Sequence, residues 1–170
     1  MATKLNDLKT SASKCLGIHI EGPFLSKEKL GAATLDQLLE PKKEYLDEFI
    51  KLNSHIKQMT LAIELEGIDE VINSLKENNI KVMVGHSNAK EKDLVNKYYD
   101  GFTHFYNAMS GFNHHELGLV NMGFNNPDKY IELIADGIHV DESVLKVTLN
   151  NFRRDRIMLI SDAIHAAGLK

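Results

Sequence analysis

Five apolar segments of this chain each end in a side chain that can bind a metal ion or transfer a proton. The first, residues 15–20, runs into Glu21, and Gly22-Pro23, which cannot prolong a central strand, follow at once. The other four run into His86, His104, the Asp-Gly-Ile-His segment 136–139 and Asp162. Parallel α/β barrels carry their functional residues at the carboxyl ends of the strands. Five such segments in order therefore predict a parallel barrel with its site at that end.

The stretches between these segments have helical spacing, which indicates a βα organisation throughout. Strands are predicted over residues 15–21, 59–64, 81–86, 101–106, 131–136 and 157–162, and helices over 42–52, 67–78, 89–99 and 141–152. Asn88 and Asp141 are the predicted N-caps of the last two helices.

The length of the chain limits how much of a barrel it can form. A complete (β/α)8 barrel usually needs about 250 residues. The predicted fold class is therefore α/β, a partial (β/α)8 TIM barrel of about six βα units over residues 15–170, with a polar segment over residues 1–14. Ile18, Ile20 and Val82 are expected to point into the barrel. An open six-stranded sheet has two unpaired edges, so the chain alone is expected to be poorly stable or to self-associate.

Composition excludes several classes of function. The chain has 43% hydrophobic residues, a net charge of −4 and no basic block, so no nucleic-acid partner is expected. No run of about 18 apolar residues occurs, so no membrane association is expected. The single cysteine, Cys15, cannot form an internal disulfide and is interpreted as a small core residue; this fits a cytoplasmic location.

Glu21, His86 and His104 are the candidate metal ligands. One carboxylate and two imidazoles suit Zn²⁺, Fe²⁺ or a similar divalent ion, and three protein ligands leave a position open for water. The ordinary alternative for any one of these histidines is a strand-end residue satisfied by hydrogen bonds.

The blocks GIHIEGPFLSKEKLGAA, VMVGHSNA, GFTHFYNAMS, LIADGIHV and LISDAIHAAGL together resemble the N-acetylglucosamine-6-phosphate deacetylases of the amidohydrolase superfamily. The resemblance implies a metal-dependent hydrolase that converts N-acetylglucosamine 6-phosphate, a small amino-sugar phosphate, to glucosamine 6-phosphate and acetate. It assigns Glu21, His86 and His104 to one divalent ion, Zn or Fe, and implies a homodimer at full length. The family's first-strand His-x-His and its β-sandwich are not visible, which indicates an internal fragment.

The resemblance also implies roles for residues around the metal. Asp162 is the expected general base, which takes a proton from metal-bound water and returns it to the departing amine; an acid at this position is also a common helix N-cap. His139 is expected to contact the acetamido carbonyl, whereas Asp136 is interpreted as a turn residue. The remaining expected substrate contacts are Ala32, Asn107, Ala108 and His115. Asn107 is equally compatible with a turn or cap.

Three positions depart from the family pattern. His115 stands where the family commonly has an arginine that binds phosphate from the partner subunit, and a histidine lacks the fixed charge and bidentate geometry of arginine. Ala33 replaces a polar residue, and Ile63 replaces a proline in the Thr-Leu-Ala-Pro-Glu strand, whose Glu64 is left outside the predicted site.

Two alternatives to the deacetylase function remain open: an amidohydrolase acting on a different amide, and a catalytically inactive truncated remnant.

Overall fold

The computed structural model describes residues 15–52, 55–164 and 166–168. The predicted polar segment 1–14 and His165 lie outside the described residues. Six strands form one sheet in sequence order: β1 Ile18–Glu21, β2 Ile56–Leu61, β3 Lys81–Val84, β4 Gly101–Phe102, β5 Tyr130–Ile134 and β6 Ile157–Ile160. Each neighbouring pair is parallel. The prediction of a partial α/β barrel with about six βα units is confirmed.

Five α-helices connect these strands or follow their loops: α1 Lys43–Leu52, α2 Ile68–Glu77, α3 Glu91–Leu94, α4 Leu119–Asn125 and α5 Glu142–Asn151. Short 3-10 helices occupy Leu35–Gln37 and Arg154–Arg156. Asp141 caps α5 as predicted, because its carboxylate accepts a hydrogen bond from the Ser143 backbone N–H at 2.8 Å. No helix among the described residues is long and apolar enough to cross a bilayer.

The predictions around the third and fourth helices were wrong. The expected helix 89–99 contracts to the single turn α3, whose N-cap position is occupied by Lys90 rather than Asn88, and the side chain of Asn88 donates instead to Glu28. Helix α4 was not predicted, since Gly123 within it weakens the helical pattern. That glycine is required by packing: a Cβ there would lie 2.4 Å from Cζ of Phe105. The predicted strand 101–106 is likewise only Gly101–Phe102.

The two faces of the sheet have different chemistry. The face toward the helices is apolar, and its core residues include Met59, Leu61, Val82, Val84, Phe102 and Ile131 from the strands. Ile20 packs against the same cluster. The expectation that Ile20 and Val82 point into the barrel was therefore wrong: the side-chain period of two places them opposite Glu21. Cys15 is also not a core residue, because it lies before β1 and is exposed.

The inner face carries a chain of hydrogen bonds beneath the strand ends. Gln58 donates from Nε2 to Nδ1 of His19 at 2.8 Å and to Oε1 of Glu132 at 2.6 Å. His19 Nε2 then lies 2.7 Å from Oγ1 of Thr60, which lies 2.6 Å from Oγ1 of Thr103. Glu132 is buried, and its Oε2 has no hydrogen-bond partner among the described residues. Burial raises the pKa of this carboxyl.

We expect Glu132→Gln to stabilise the chain at pH 8 but not at pH 4. A raised pKa in the folded state means that the stability contributed by this carboxyl is present below its unfolded pKa of about 4.5 and lost as the pH rises through the folded value. The amide cannot ionise, so the free energy of unfolding at pH 8 should increase by about 1–3 kcal/mol. Urea unfolding at both pH values measures the difference. Glu48→Gln, at an exposed position on α1, is the matched control and should change neither value.

Candidate metal centre

Three side chains from different strand ends meet at one point. Glu21 is the last residue of β1, His86 lies two residues beyond β3, and His104 lies two residues beyond β4. Nε2 of His86 lies 2.8 Å and Nε2 of His104 lies 2.9 Å from Oε1 of Glu21, and the two Nε2 atoms are 2.9 Å apart. The order of the parallel strands thus brings together residues up to 83 positions apart in the chain. These are the three candidate metal ligands among the five strand ends that the sequence pattern selected.

The opposite nitrogens of both imidazoles already have partners. Nδ1 of His86 lies 2.8 Å from the carbonyl oxygen of Lys29, and Nδ1 of His104 lies 3.1 Å from that of Asn107. A carbonyl oxygen only accepts hydrogen bonds, so each Nδ1 must carry the proton and each neutral imidazole presents a lone pair at Nε2. Ligating histidines in proteins are commonly fixed in this way.

The donor set fits a divalent cation. Two imidazole lone pairs and one carboxylate oxygen lie within 2.9 Å of one another, and such atoms repel unless a positive charge lies between them. A triangle of this size has a point about 2.1 Å from all three atoms, which is the bond length expected for zinc with these ligands. Three protein ligands leave a further coordination position open for water or substrate.

The protonation equilibria reflect the same crowding. When a proton occupies an Nε2 position in place of a metal ion, hydrogen bonds from His104 and His86 hold the pKa of Glu21 far below its usual range. Burial opposes the charged form of His86, but the hydrogen bonds to Glu21 and to the Lys29 carbonyl outweigh it and raise the pKa of this imidazole. A proton and a metal ion therefore compete for the same position between Glu21 and His86.

The backbone around the centre is unusual. His86, His104, Ala108 and Asp162 have φ values of +46°, +32°, +46° and +48°. Non-glycine residues rarely occupy this region, and each such residue costs of the order of 1 kcal/mol or more unless surrounding contacts hold it. Strain of this kind concentrates at functional sites.

Asp162, the expected base, lies two residues beyond β6 and is exposed. Burial lowers the pKa of His19, and the charges of Glu21 and Asp162 oppose that shift; the Asp162 charge also adds to the raised pKa of His86, so Asp162 lies near both imidazoles. No helix follows it in the described residues 163–164 and 166–168, so the alternative of an N-cap has no support there.

The expected substrate residues are divided between the centre and its rim. Asn107 and Ala108 lie in the turn of His104, and the side-chain Nδ2 of Asn107 is buried without a hydrogen-bond partner among the described residues. Ala32 is exposed beside Gly31, where a Cβ would lie 2.9 Å from Cε1 of His86. The lack of a side chain at Gly31 therefore allows its loop to approach His86 closely.

His139 and His115 occupy exposed loops. Asp136 behaves as the predicted turn residue: its Oδ1 accepts from the N–H groups of Ile138 and His139, which together with the His139 side chain lower the pKa of Asp136 to about 2. Oδ2 of Asp136 lies 2.7 Å from Nδ1 of His139, which orients that ring. The ring of His115 contacts that of His114, with centroids 4.0 Å apart and the planes tilted by 42°.

Several residues that support the centre are absent from the predicted site, and one of them, Glu64, was considered in the sequence analysis and left out. The inner chain of Gln58, Thr60 and Thr103 lies below it, and Glu64 binds the loop that carries His86. Glu64 follows an apolar run that ends β2, so the pattern that selected Glu21 also marks Glu64.

We expect His86→Ala to abolish zinc binding. The wild-type chain should retain about one equivalent of zinc after loading and desalting, because three ligands hold the ion, and the variant should lose it. Metal analysis by mass spectrometry measures the stoichiometry. His139→Ala removes an exposed histidine of the rim and should leave the zinc content unchanged. Zinc retained by His86→Ala with the wild-type affinity would show that His86 is not a ligand.

Comparison with known proteins supports a single group of relatives. No family model matches the chain. It is 34% identical over 175 residues to the N-acetylgalactosamine-6-phosphate deacetylase of Escherichia coli O157:H7, covering 95% of this chain and 46% of that protein. It is 35% identical over 165 residues to the N-acetylglucosamine-6-phosphate deacetylase of Lysinibacillus sphaericus, covering 95% of this chain and 43% of the relative. The chain thus spans less than half the length of these curated relatives.

Solved structures give the same result. The N-acetylglucosamine-6-phosphate deacetylase of Thermotoga maritima matches with a TM-score of 0.87 and 33% identity, over 99% of this chain and 47% of that one. A Mycobacterium smegmatis enzyme, solved in complex with N-acetyl-D-glucosamine-6-phosphate, matches with a TM-score of 0.85 and 25% identity, over 91% of this chain and 42% of that one. The resemblance inferred from the five sequence blocks is confirmed: nearly the whole of this chain is similar to proteins named N-acetylglucosamine- or N-acetylgalactosamine-6-phosphate deacetylase, and it covers less than half of their length.

Proposed function

We propose that this chain supplies the metal-binding part of an N-acetylglucosamine-6-phosphate deacetylase, which hydrolyses the acetamido group to acetate and glucosamine 6-phosphate. The observation that carries the proposal is the convergence of two unprotonated Nε2 atoms on Oε1 of Glu21. The ion is Zn²⁺ or Fe²⁺, since both accept nitrogen and oxygen ligands. Held by Glu21, His86 and His104, such an ion would supply Lewis-acid polarisation of the amide carbonyl and would lower the pKa of a water molecule toward 7.

The chain's own residues supply the proton transfers. Asp162 accepts a proton from the attacking water and returns it to the departing amine nitrogen, so the same carboxylate acts first as base and then as acid. Its exposed position after β6 leaves it accessible to substrate. In its doubly protonated form, with Nδ1 donating to Asp136, His139 donates a hydrogen bond from Nε2 to the carbonyl oxygen as negative charge develops on it.

The substrate's sugar phosphate is held on the rim. We assign the sugar to Ala32, Asn107 and Ala108, where the Nδ2 of Asn107, which has no partner in the described part of the chain, offers a donor. His115 is assigned to the phosphate, contributed across a homodimer, and a cytoplasmic location agrees with a sugar phosphate substrate. N-acetylgalactosamine 6-phosphate is the second candidate substrate, because one relative at 34% identity is named as its deacetylase.

The direct test is acetate release from both sugar phosphates by the zinc-loaded chain, with unphosphorylated N-acetylglucosamine as the control. Turnover of either phosphorylated sugar, but not of the control, supports the proposal and selects the epimer. Zinc binding without acetate release from any of the three would favour the inactive-remnant alternative.

Asp162→Asn should reduce turnover by about 10²–10⁴-fold without changing zinc content. Asparagine keeps the shape of the side chain but cannot accept the proton, and general acid–base catalysis typically contributes an effect of this size. The measurement is kcat for acetate release beside metal analysis of the same sample. Near-normal turnover would remove Asp162 from the proposed mechanism, and loss of zinc would instead make it a ligand.

His115→Arg should tighten binding of the phosphorylated sugar roughly ten- to a hundredfold. A new charge-assisted hydrogen bond is worth about 1.5–3 kcal/mol, and arginine holds a phosphate with two parallel donors. Isothermal calorimetry with the 6-phosphorylated sugar measures the dissociation constant. His114→Arg, on the neighbouring ring, is the matched control. Equal affinities for the His115 variant and wild type would place His115 away from the phosphate.

A further inference from the structure

Glu64 uses both oxygens of its carboxylate to hold the loop that follows β3. Its Oε2 accepts a hydrogen bond from the hydroxyl of Ser87 at 2.5 Å, and its Oε1 accepts one from the backbone N–H of Asn88 at 2.7 Å. These donors belong to the two residues directly after His86. Hydrogen bonds to an ionised carboxylate are about twice as strong as neutral ones. Glu64 therefore binds the loop firmly at the point where the chain leaves His86.

The His86 backbone needs such support. Its φ of +46° is a conformation that a residue with a Cβ adopts only when its surroundings impose it. On one side the β1–α1 loop contributes two contacts: the Ser26 N–H donates to the His86 carbonyl at 2.9 Å, and Nδ1 of His86 donates to the Lys29 carbonyl. Glu64 binds the next two residues from the β2 side. The imidazole is thus held between two neighbouring strand ends.

Through Ser87, the hydrogen bonds of Glu64 also support the loop of the second histidine, His104. Ser87 is fully buried, and its backbone N–H donates to the carbonyl of Ala108 at 3.2 Å while its carbonyl accepts from the N–H of Ser110 at 3.1 Å. These two residues belong to the loop that follows His104. The hydroxyl of Ser87, fixed by Glu64, also accepts from the N–H of Ala89 at 3.2 Å. Glu64 therefore acts on a serine that joins the His86 loop to the His104 loop.

We propose that Glu64 is a positioning residue of the metal centre, which sets the metal affinity by fixing His86, and through Ser87 the His104 loop, without binding the metal itself. The inference rests on the proposed metal site of Glu21, His86 and His104. It predicts that removing the Glu64 carboxylate weakens metal binding in a chain that is still folded. A purely structural role would instead lower thermal stability and leave the affinity of the folded chain unchanged.

Glu64→Ala should lower zinc affinity about 10–100-fold, the usual effect of losing a group that orients a metal ligand. The affinity is measured on the full 170-residue chain by competition with a chromogenic chelator, and circular dichroism confirms that each variant is folded at the temperature used. The visible absorption of bound Co²⁺ should also change in intensity, because it reports ligand geometry. Glu64→Gln keeps an acceptor for the Asn88 N–H but loses the charge, so an intermediate loss of affinity is expected.

Glu66 provides the matched control, since it is an exposed carboxylate two residues further along the same loop. Glu66→Ala and Glu66→Gln remove the same charge and should retain wild-type affinity and absorption. If Glu64→Ala does not fold, Glu64→Gln decides: an affinity equal to that of Glu66→Gln overturns the inference. Wild-type zinc affinity in a folded Glu64→Ala chain overturns the positioning role of Glu64 and leaves the proposed metal site intact. A wild-type chain that binds neither Zn²⁺ nor Co²⁺ overturns the proposed metal site, and the positioning role with it.

Discussion

The carboxylate oxygen Oε1 of Glu21 faces two imidazole nitrogens that have no proton to give it. Each histidine has committed its Nδ1 proton to a backbone carbonyl, so both Nε2 lone pairs point at an atom that is itself rich in electrons. The three atoms lie 2.8–2.9 Å from one another. Neither a water molecule nor a neutral side chain can donate a hydrogen bond to all three of them. Only a cation or an extra proton removes the repulsion. The conformation of the surrounding loops follows from holding these atoms together.

That requirement divides the sheet into two faces with different tasks. Toward the helices, residues such as Met59, Val82 and Phe102 are buried among apolar neighbours and supply the hydrophobic stabilisation. Toward the inside, polar residues hold one another and the turns of the ligands: the backbone carbonyl of Glu132, for example, accepts the N–H of Phe105, the residue after His104. The same glutamate carries a buried oxygen without a partner in the described residues. The inner face thus gives up stability for the arrangement above it.

The sequence predicted the parts that depend on periodicity and order. Glu21, His86 and His104 follow apolar runs, and parallel pairing necessarily brings the ends of such runs to one edge, so their meeting could be anticipated without knowing any loop. Elements that depend on tertiary contacts could not be predicted in this way. Helix α4 tolerates Gly123 because the ring of Phe105 occupies the space of a Cβ, a contact between segments that no local pattern shows. The inward assignment of Ile20 was wrong. Which side chains of β1 point inward depends on which face of the sheet meets the helices, and a strand of four residues has too short an alternating pattern to indicate that face.

The same distinction separates the metal side of the site from the substrate side. The metal ligands stand at or within two residues of strand ends, and His86 and His104 are buried and fixed by backbone partners. His115 and His139 lie on exposed loops whose hydrogen bonds are mostly local, within Asn113–His115 and Asp136–His139. A substitution in such a loop changes few packing contacts, whereas one at His86 disturbs several strand ends at once. The departures at His115 and Ala33 therefore lie in the part of the fold to which we assign the substrate, where a change leaves the arrangement of the proposed metal ligands intact.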